Sequence, residues 1–116
     1  MPTSIPTITR KEMNSLKGWS YPQIAFHILR KFLKDEIPDI SLETICYEIY
    51  DYPVPLEPIN ENTKIAYLDR GPSASFKDFA ARFMAKIMAA LKENNKMTTI
   101  LVATSGDTGS AIGEAF

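Results

Sequence analysis

Apolar residues recur at three- and four-residue spacings in the first half of the chain, and the second half alternates between strand-like and helix-like runs. Thr9-Arg10-Lys11-Glu12 has the spacing of a capping box and predicts a short helix over about 10–16, closed by Gly18. Tyr21-Pro22 opens a second helix, because proline is tolerated in a first turn. Ile24, Ala25, Ile28, Leu29, Phe32 and Leu33 then share one face, and Pro38 stops that helix. Ser41 is the expected cap of a third helix, with Leu42, Ile45, Cys46 and Ile49 as its buried stripe. Pro53, Pro55 and Pro58 exclude a helix interior, so 51–60 reads as an extended connector and a domain boundary.

From Ile65 the pattern becomes strand, helix, strand, helix. Ile65-Ala66-Tyr67-Leu68 is a short apolar run, followed by a tight Asp69-Arg70-Gly71-Pro72 turn. A crossover helix over about 78–93 carries Phe79, Ala80, Phe83, Met84, Ile87, Met88 and Leu91 on one face. Thr98 to Ala103 is β-branched and apolar and reads as a buried strand. Two parallel strands joined by that helix should form a right-handed βαβ unit. Such a unit puts Lys77 and the 105–110 loop at the carboxyl ends of the strands, the edge where open α/β sheets bind ligands.

Composition narrows the classes of function. The 116 residues are 45% hydrophobic and 23% charged, with a net charge of −1, so the chain is ordinary globular material without a basic face for nucleic acid. No apolar stretch approaches the roughly 20 residues of a membrane span, and the N-terminus lacks a signal-peptide pattern. The single cysteine, Cys46, cannot form an internal disulfide, which suits a soluble, reducing, cytoplasmic setting. Repeats and low-complexity tracts are absent.

Two segments carry candidate chemistry. Ser73-Ala74-Ser75-Phe76-Lys77-Asp78-Phe79 sets a lysine between a turn and a helix start. An ordinary lysine amine is neutral in roughly one molecule in 2,500 at pH 7, so attack on a carbonyl needs desolvation or a nearby positive potential. A helix N-terminus supplies the potential, and Phe76 and Phe79 offer apolar surroundings. The same placement suits a plain surface lysine, and on these residues alone both readings stand. The second segment, Thr104-Ser105-Gly106-Asp107-Thr108-Gly109-Ser110, is a turn between a strand and a helix, where unpaired N–H groups and hydroxyls can meet an anion. Its glycines, Gly106, Gly109 and Gly113, match neither the dinucleotide fingerprint nor a nucleotide P-loop.

Other eye-catching residues have simpler roles. His27 flanks an apolar stripe and reads as solvent-facing or supporting, and Cys46 as a small core residue. Met84, Met88 and Met97 read as core filler, not a metal site, and Tyr47, Tyr50 and Tyr52 as an exposed aromatic patch or, preferred, a packing seam with a domain beyond this stretch. Asp78 suits its own helix start. Arg82 either pairs with Asp78 or faces a phosphate, and the pairing is preferred.

Leu68 to Met84, with Gly71-Pro72 and Ser75-Phe76-Lys77-Asp78, and Ala103 to Ala111, with Thr104-Ser105-Gly106-Asp107-Thr108-Gly109, together resemble the N-terminal part of threonine synthase. That enzyme uses pyridoxal 5'-phosphate (PLP) and belongs to the tryptophan-synthase-β fold group. The strong likeness covers 65–116, and 5–59 is looser. It implies an α/β fold, with a mainly helical region over 1–59 and the start of a PLP-binding domain of fold type II over 60–116, cut short at the C-terminus. Relatives run to several hundred residues, so the chain is expected to be truncated at both ends and inactive alone.

The resemblance further implies conversion of O-phospho-L-homoserine and water to L-threonine and phosphate. Lys77 would hold PLP as a Schiff base and shuttle protons, with Phe76 and Asp107 beside the cofactor. Thr104, Ser105, Gly106, Asp107, Thr108 and Gly109 would face the substrate. Asp107 stands where dehydratases and cysteine synthases more often carry Asn; a carboxylate there accepts hydrogen bonds but repels an anionic oxygen. Two alternatives remain: a dehydratase-like PLP lyase acting on serine or threonine, and a silent homologue serving as a binding module.

Overall fold

The computed structural model describes residues 5–34, 36–92, 97–104 and 106–116, and the chain divides into two compact units, 1–50 and 51–116. Unit 1 holds α1 (Arg10–Ser15), α2 (Tyr21–Phe32) and α3 (Asp39–Ile49). Unit 2 holds β1 (Leu56–Asn60), β2 (Thr63–Ala66), α4 (Asp78–Ala90) and α5 (Asp107–Ala115).

The capping box of α1 forms as its spacing predicts. Thr9 Oγ1 accepts the Glu12 N–H at 3.2 Å, and Glu12 Oε2 accepts the Thr9 N–H at 3.4 Å. In α2, Gln23 Oε1 accepts the Ser20 N–H at 2.8 Å, and Pro22 occupies the first turn. The α3 stripe is the core of the unit: Leu42, Ile45, Cys46 and Ile49 are buried, joined by Ile37 and Tyr50. α3 begins at Asp39, with Pro38 as its cap residue, and not at Ser41. Pro38 is extended and its carbonyl accepts the N–H groups of Ser41 and Leu42, so the helix needs no side-chain cap. Burial pushes the Cys46 thiol up to about 11, with Glu43 adding to it, so the group stays a neutral core filler.

Glu12 ties α1 to α2. Its carboxylate meets His27 Nε2 at 2.7 Å and also pairs with Lys31, whose ammonium reaches the Thr7 carbonyl. The His27 ring stands edge-on to Trp19 at 5.6 Å. These partners, Lys31 first and then His27, hold the Glu12 carboxyl down at about 2, from an ordinary 4.5. The resulting stabilisation is complete above pH 4.5 and drains away as the pH falls toward 2. Denaturant midpoints followed at Trp19 should therefore fall across that window. Glu12→Gln should start lower at pH 6 and fall less steeply; parallel pH profiles would show that the cluster contributes nothing.

Unit 2 departs further from expectation. Its sheet is a two-stranded antiparallel hairpin, Leu56 opposite Ala66 and Pro58 opposite Lys64, with an irregularity between Pro58 and Asn60. Residues 51–60 are thus not merely a connector. Proline cannot donate to a ladder and is confined to edges and bulges, and Pro58 occupies such a place. Asn60 Oδ1 accepts the Asn62 N–H at 3.0 Å and closes the turn. The strand expected at Ile65–Leu68 runs instead from Thr63 to Ala66.

No parallel pair, and hence no βαβ unit, forms among the described residues. Thr98–Ala103 is outside any strand, with Leu101 91% exposed, and β2 pairs with β1 alone among the described residues. The crossover helix ends at Ala90; Glu93, its expected end, lies outside the described residues. Its buried positions are Asp78 and Ala81, while Met84, Met88 and Leu91 of the expected apolar face are exposed. α4 packs on α5, whose buried residue is Ala111. Met84, Met88 and Met97 are therefore not core filler.

Tyr47 is exposed, Tyr50 stands edge-on to Tyr21 at 5.1 Å, and Tyr52 does the same to Phe79 at 5.1 Å. Among the described residues, no helix is long and apolar enough to cross a membrane, and no group of three or more His, Cys, Asp or Glu is placed to hold a metal ion.

Candidate active site

Both candidate segments lie at helix starts in unit 2. Lys77 is the cap residue of α4, and Gly106 that of α5. The ends of the two helices share a cleft lined by Ala85, Lys86, Met88, Ala115 and Phe116, so both helix starts lie away from it.

The turn before Lys77 is built around Asp78, which is completely buried. Its Oδ2 accepts the Ser73 N–H at 3.0 Å, and its Oδ1 accepts the Ser73 hydroxyl. Gly71 is required by close approach: a Cβ there would lie 2.9 Å from Asp78 Cβ and closer still to its carboxylate. Ala74 has φ 56, the left-handed region that a residue with a Cβ enters only at a cost. Ser75 is also buried, and its Oγ accepts the Lys77 N–H at 3.3 Å. The Lys77 carbonyl accepts the N–H groups of Ala80 and Ala81 at 3.1 and 2.9 Å. The backbone of Lys77 is therefore bonded on both sides, and the freedom left is in its side chain.

The Lys77 ammonium rests over the Phe76 ring, 4.4 Å from its centre, and pairs with no carboxylate among the described residues. Phe76 is 60% exposed, so it does not supply the dry surroundings expected of it. Phe79 is half-buried against Tyr52. Arg82 does make a structural pair, but with Asp51 at 2.7 Å and not with Asp78. The guanidinium holds the Asp51 carboxyl below its ordinary range. Asp78 is committed to Ser73, which is why it is not the partner.

In the second segment, Thr104 Oγ1 accepts the Gly106 N–H at 3.3 Å, so this hydroxyl serves the turn. A Cβ at Gly109 would lie 2.5 Å from the Thr104 methyl, so glycine there lets the turn fold onto the helix. Asp107 is exposed in the first turn of α5, and Thr108 and Gly109 are half-buried. Ser105 lies outside the described residues. Residue patterns did not reveal the burial of Asp78 or the ties of Ser73 and Ser75. The signal available was the Ser-x-Ser spacing between a Gly-Pro turn and an acidic helix start.

Residues 1–50 match the family model described as threonine synthase N terminus. The structure superposes on the crystal structure of threonine synthase from Escherichia coli with a TM-score of 0.89 and 34% identity, over 99% of this chain and 27% of that one. The chain belongs to the threonine synthase family. The PLP-bound threonine synthase of Brucella melitensis is similar over 100% of this chain and 26% of its own, with a TM-score of 0.87 and 33% identity. Threonine synthase from Haemophilus influenzae is 43% identical over 89 residues, 77% of this chain and 21% of the relative. The chain thus spans about a quarter of the length of the threonine synthases it matches, their N-terminal part.

Proposed function

We propose that residues 1–116 supply the N-terminal part of a PLP-dependent threonine synthase that converts O-phospho-L-homoserine and water to L-threonine and phosphate. The strongest support is the likeness, over the whole chain, to a threonine synthase that binds PLP. Within this reading, 1–59 is the mainly helical N-terminal region and 60–116 opens the PLP-binding domain, its reaction cytoplasmic. Thr98–Ala103 would join a parallel sheet of fold type II, whose further strands would cover its apolar residues.

The residues present fit a carbonyl cofactor. Lys77 brings a primary amine on a pinned backbone, with no carboxylate competing for it among the described residues. Bound PLP would supply an electron sink that acidifies the substrate's α carbon and, through it, the β carbon. Lys77 Nζ anchors the cofactor and then carries protons to and from the substrate's α and β carbons. Phe76 borders the amine and limits its sweep. Thr104, Ser105, Gly106, Thr108 and Gly109 form the substrate side, where the N–H groups at the α5 start suit a carboxylate. Asp107 would offer a hydrogen-bond acceptor toward the cofactor's hydroxyl edge.

A chimera tests this reading: residues 1–116 replace the matching part of the Escherichia coli threonine synthase. It should release phosphate from O-phospho-L-homoserine much faster than it forms keto acids from serine or threonine. Keto acids without phosphate would favour a dehydratase-like lyase, and a folded but silent chimera would favour a binding module.

A further inference from the structure

We propose that Asp78 is a positioning residue for Lys77, acting through the turn it clasps. The proposal rests on the reading of Lys77 as the cofactor lysine. A buried carboxylate is costly to desolvate, and an uncharged residue would fill the same space more cheaply. Asp78 is nevertheless completely buried, and both of its oxygens are directed at Ser73, four residues before Lys77.

The clasp closes a loop from Gly71 to Asp78. Gly71 gives the carboxylate room, and its carbonyl accepts the Ala74 N–H at 3.0 Å. Ala74 turns through the left-handed region. Ser75 then faces inward, where its carbonyl accepts the Asp78 N–H at 3.1 Å and its hydroxyl accepts the Lys77 N–H. Asp78 fixes Ser73, the turn fixes Ser75, and Ser75 fixes Lys77. Because the carboxylate is committed to Ser73, it orients the lysine without pairing with its ammonium. A carboxylate that merely neutralised the amine would do the opposite, holding it away from a carbonyl.

The test treats the chimera with limiting PLP, reduces with borohydride, and maps the label. The ratio of label on Lys77 to label on Lys64, an exposed lysine of β2, is the readout. Amide exchange at Lys77 and along α4 is measured in the same proteins. Asp78→Ala should lower the ratio about tenfold, as loss of a near-attack placement does, and should speed exchange at Lys77. Asp78→Asn keeps an acceptor for the Ser73 N–H and should recover most of that loss. Ser73→Ala removes only a hydroxyl and decides the matter if Asp78→Ala loses α4. An unchanged ratio in variants whose α4 amides stay protected would overturn the proposal and leave the cofactor lysine standing. No preference for Lys77 in the unsubstituted chimera would instead remove the cofactor-lysine reading, and this proposal with it.

Discussion

Lys77→Ala in the chimera should lower phosphate release from O-phospho-L-homoserine by about a thousandfold or more, since one amine serves as both anchor and proton carrier. The loss should fall on kcat, because the groups proposed to face the substrate lie on the α5 side. The fold should survive. The Lys77 side chain makes one ring contact and no ion pair among the described residues, and its backbone bonds do not depend on the amine. Steady-state release of inorganic phosphate, read beside circular dichroism, checks both halves. Retained turnover would mean that another lysine carries the chemistry.

Gly71→Ala should damage the same turn from the other side. Its new Cβ would lie 2.9 Å from Asp78 Cβ and overlap the carboxylate, so either the turn or Asp78 must move. Overpacking of this kind costs about 1–3 kcal/mol, and a displaced, buried carboxylate that loses its donors adds about 1–3 kcal/mol more. Amide exchange at Ser73 and Lys77 should accelerate as the turn loosens. Equal protection in the two proteins would show that the turn has slack the structure does not suggest.

Local signals made the helices of unit 1 legible. The Thr9–Glu12 capping box and the Leu42, Ile45, Cys46, Ile49 stripe are short-range patterns, and each appears where its spacing places it. β1 was hidden because prolines read as breakers, whereas Pro58 sits where a two-stranded hairpin tolerates one. The α4 face and the Thr98–Ala103 run were legible as apolar but not as covered. Burial is a property of partners, and among the described residues α4 packs on α5 while Met84, Met88 and Leu91 stay exposed.

The turn motif was legible in type but not in construction. Lys77 stood out because a lone lysine between a turn and a helix invites a chemical reading. Asp78 suggested only a helix-start charge, since acidic residues at that position are common and usually solvated. Its burial follows from the neighbouring Gly71, which leaves room for the carboxylate. Arg82 likewise found its partner in Asp51, thirty-one residues upstream, a distance that helix spacing does not encode.

The central claim is that Lys77, and no other lysine, is the residue that captures the cofactor's carbonyl. Reduction of the PLP-treated chimera with borohydride, followed by peptide mapping, tests it most directly. The account predicts one pyridoxyl group, on Lys77, that disappears in the Lys77→Ala variant. A label on Lys64, Lys86 or a lysine of the grafted remainder, with Lys77 unmodified, would contradict it.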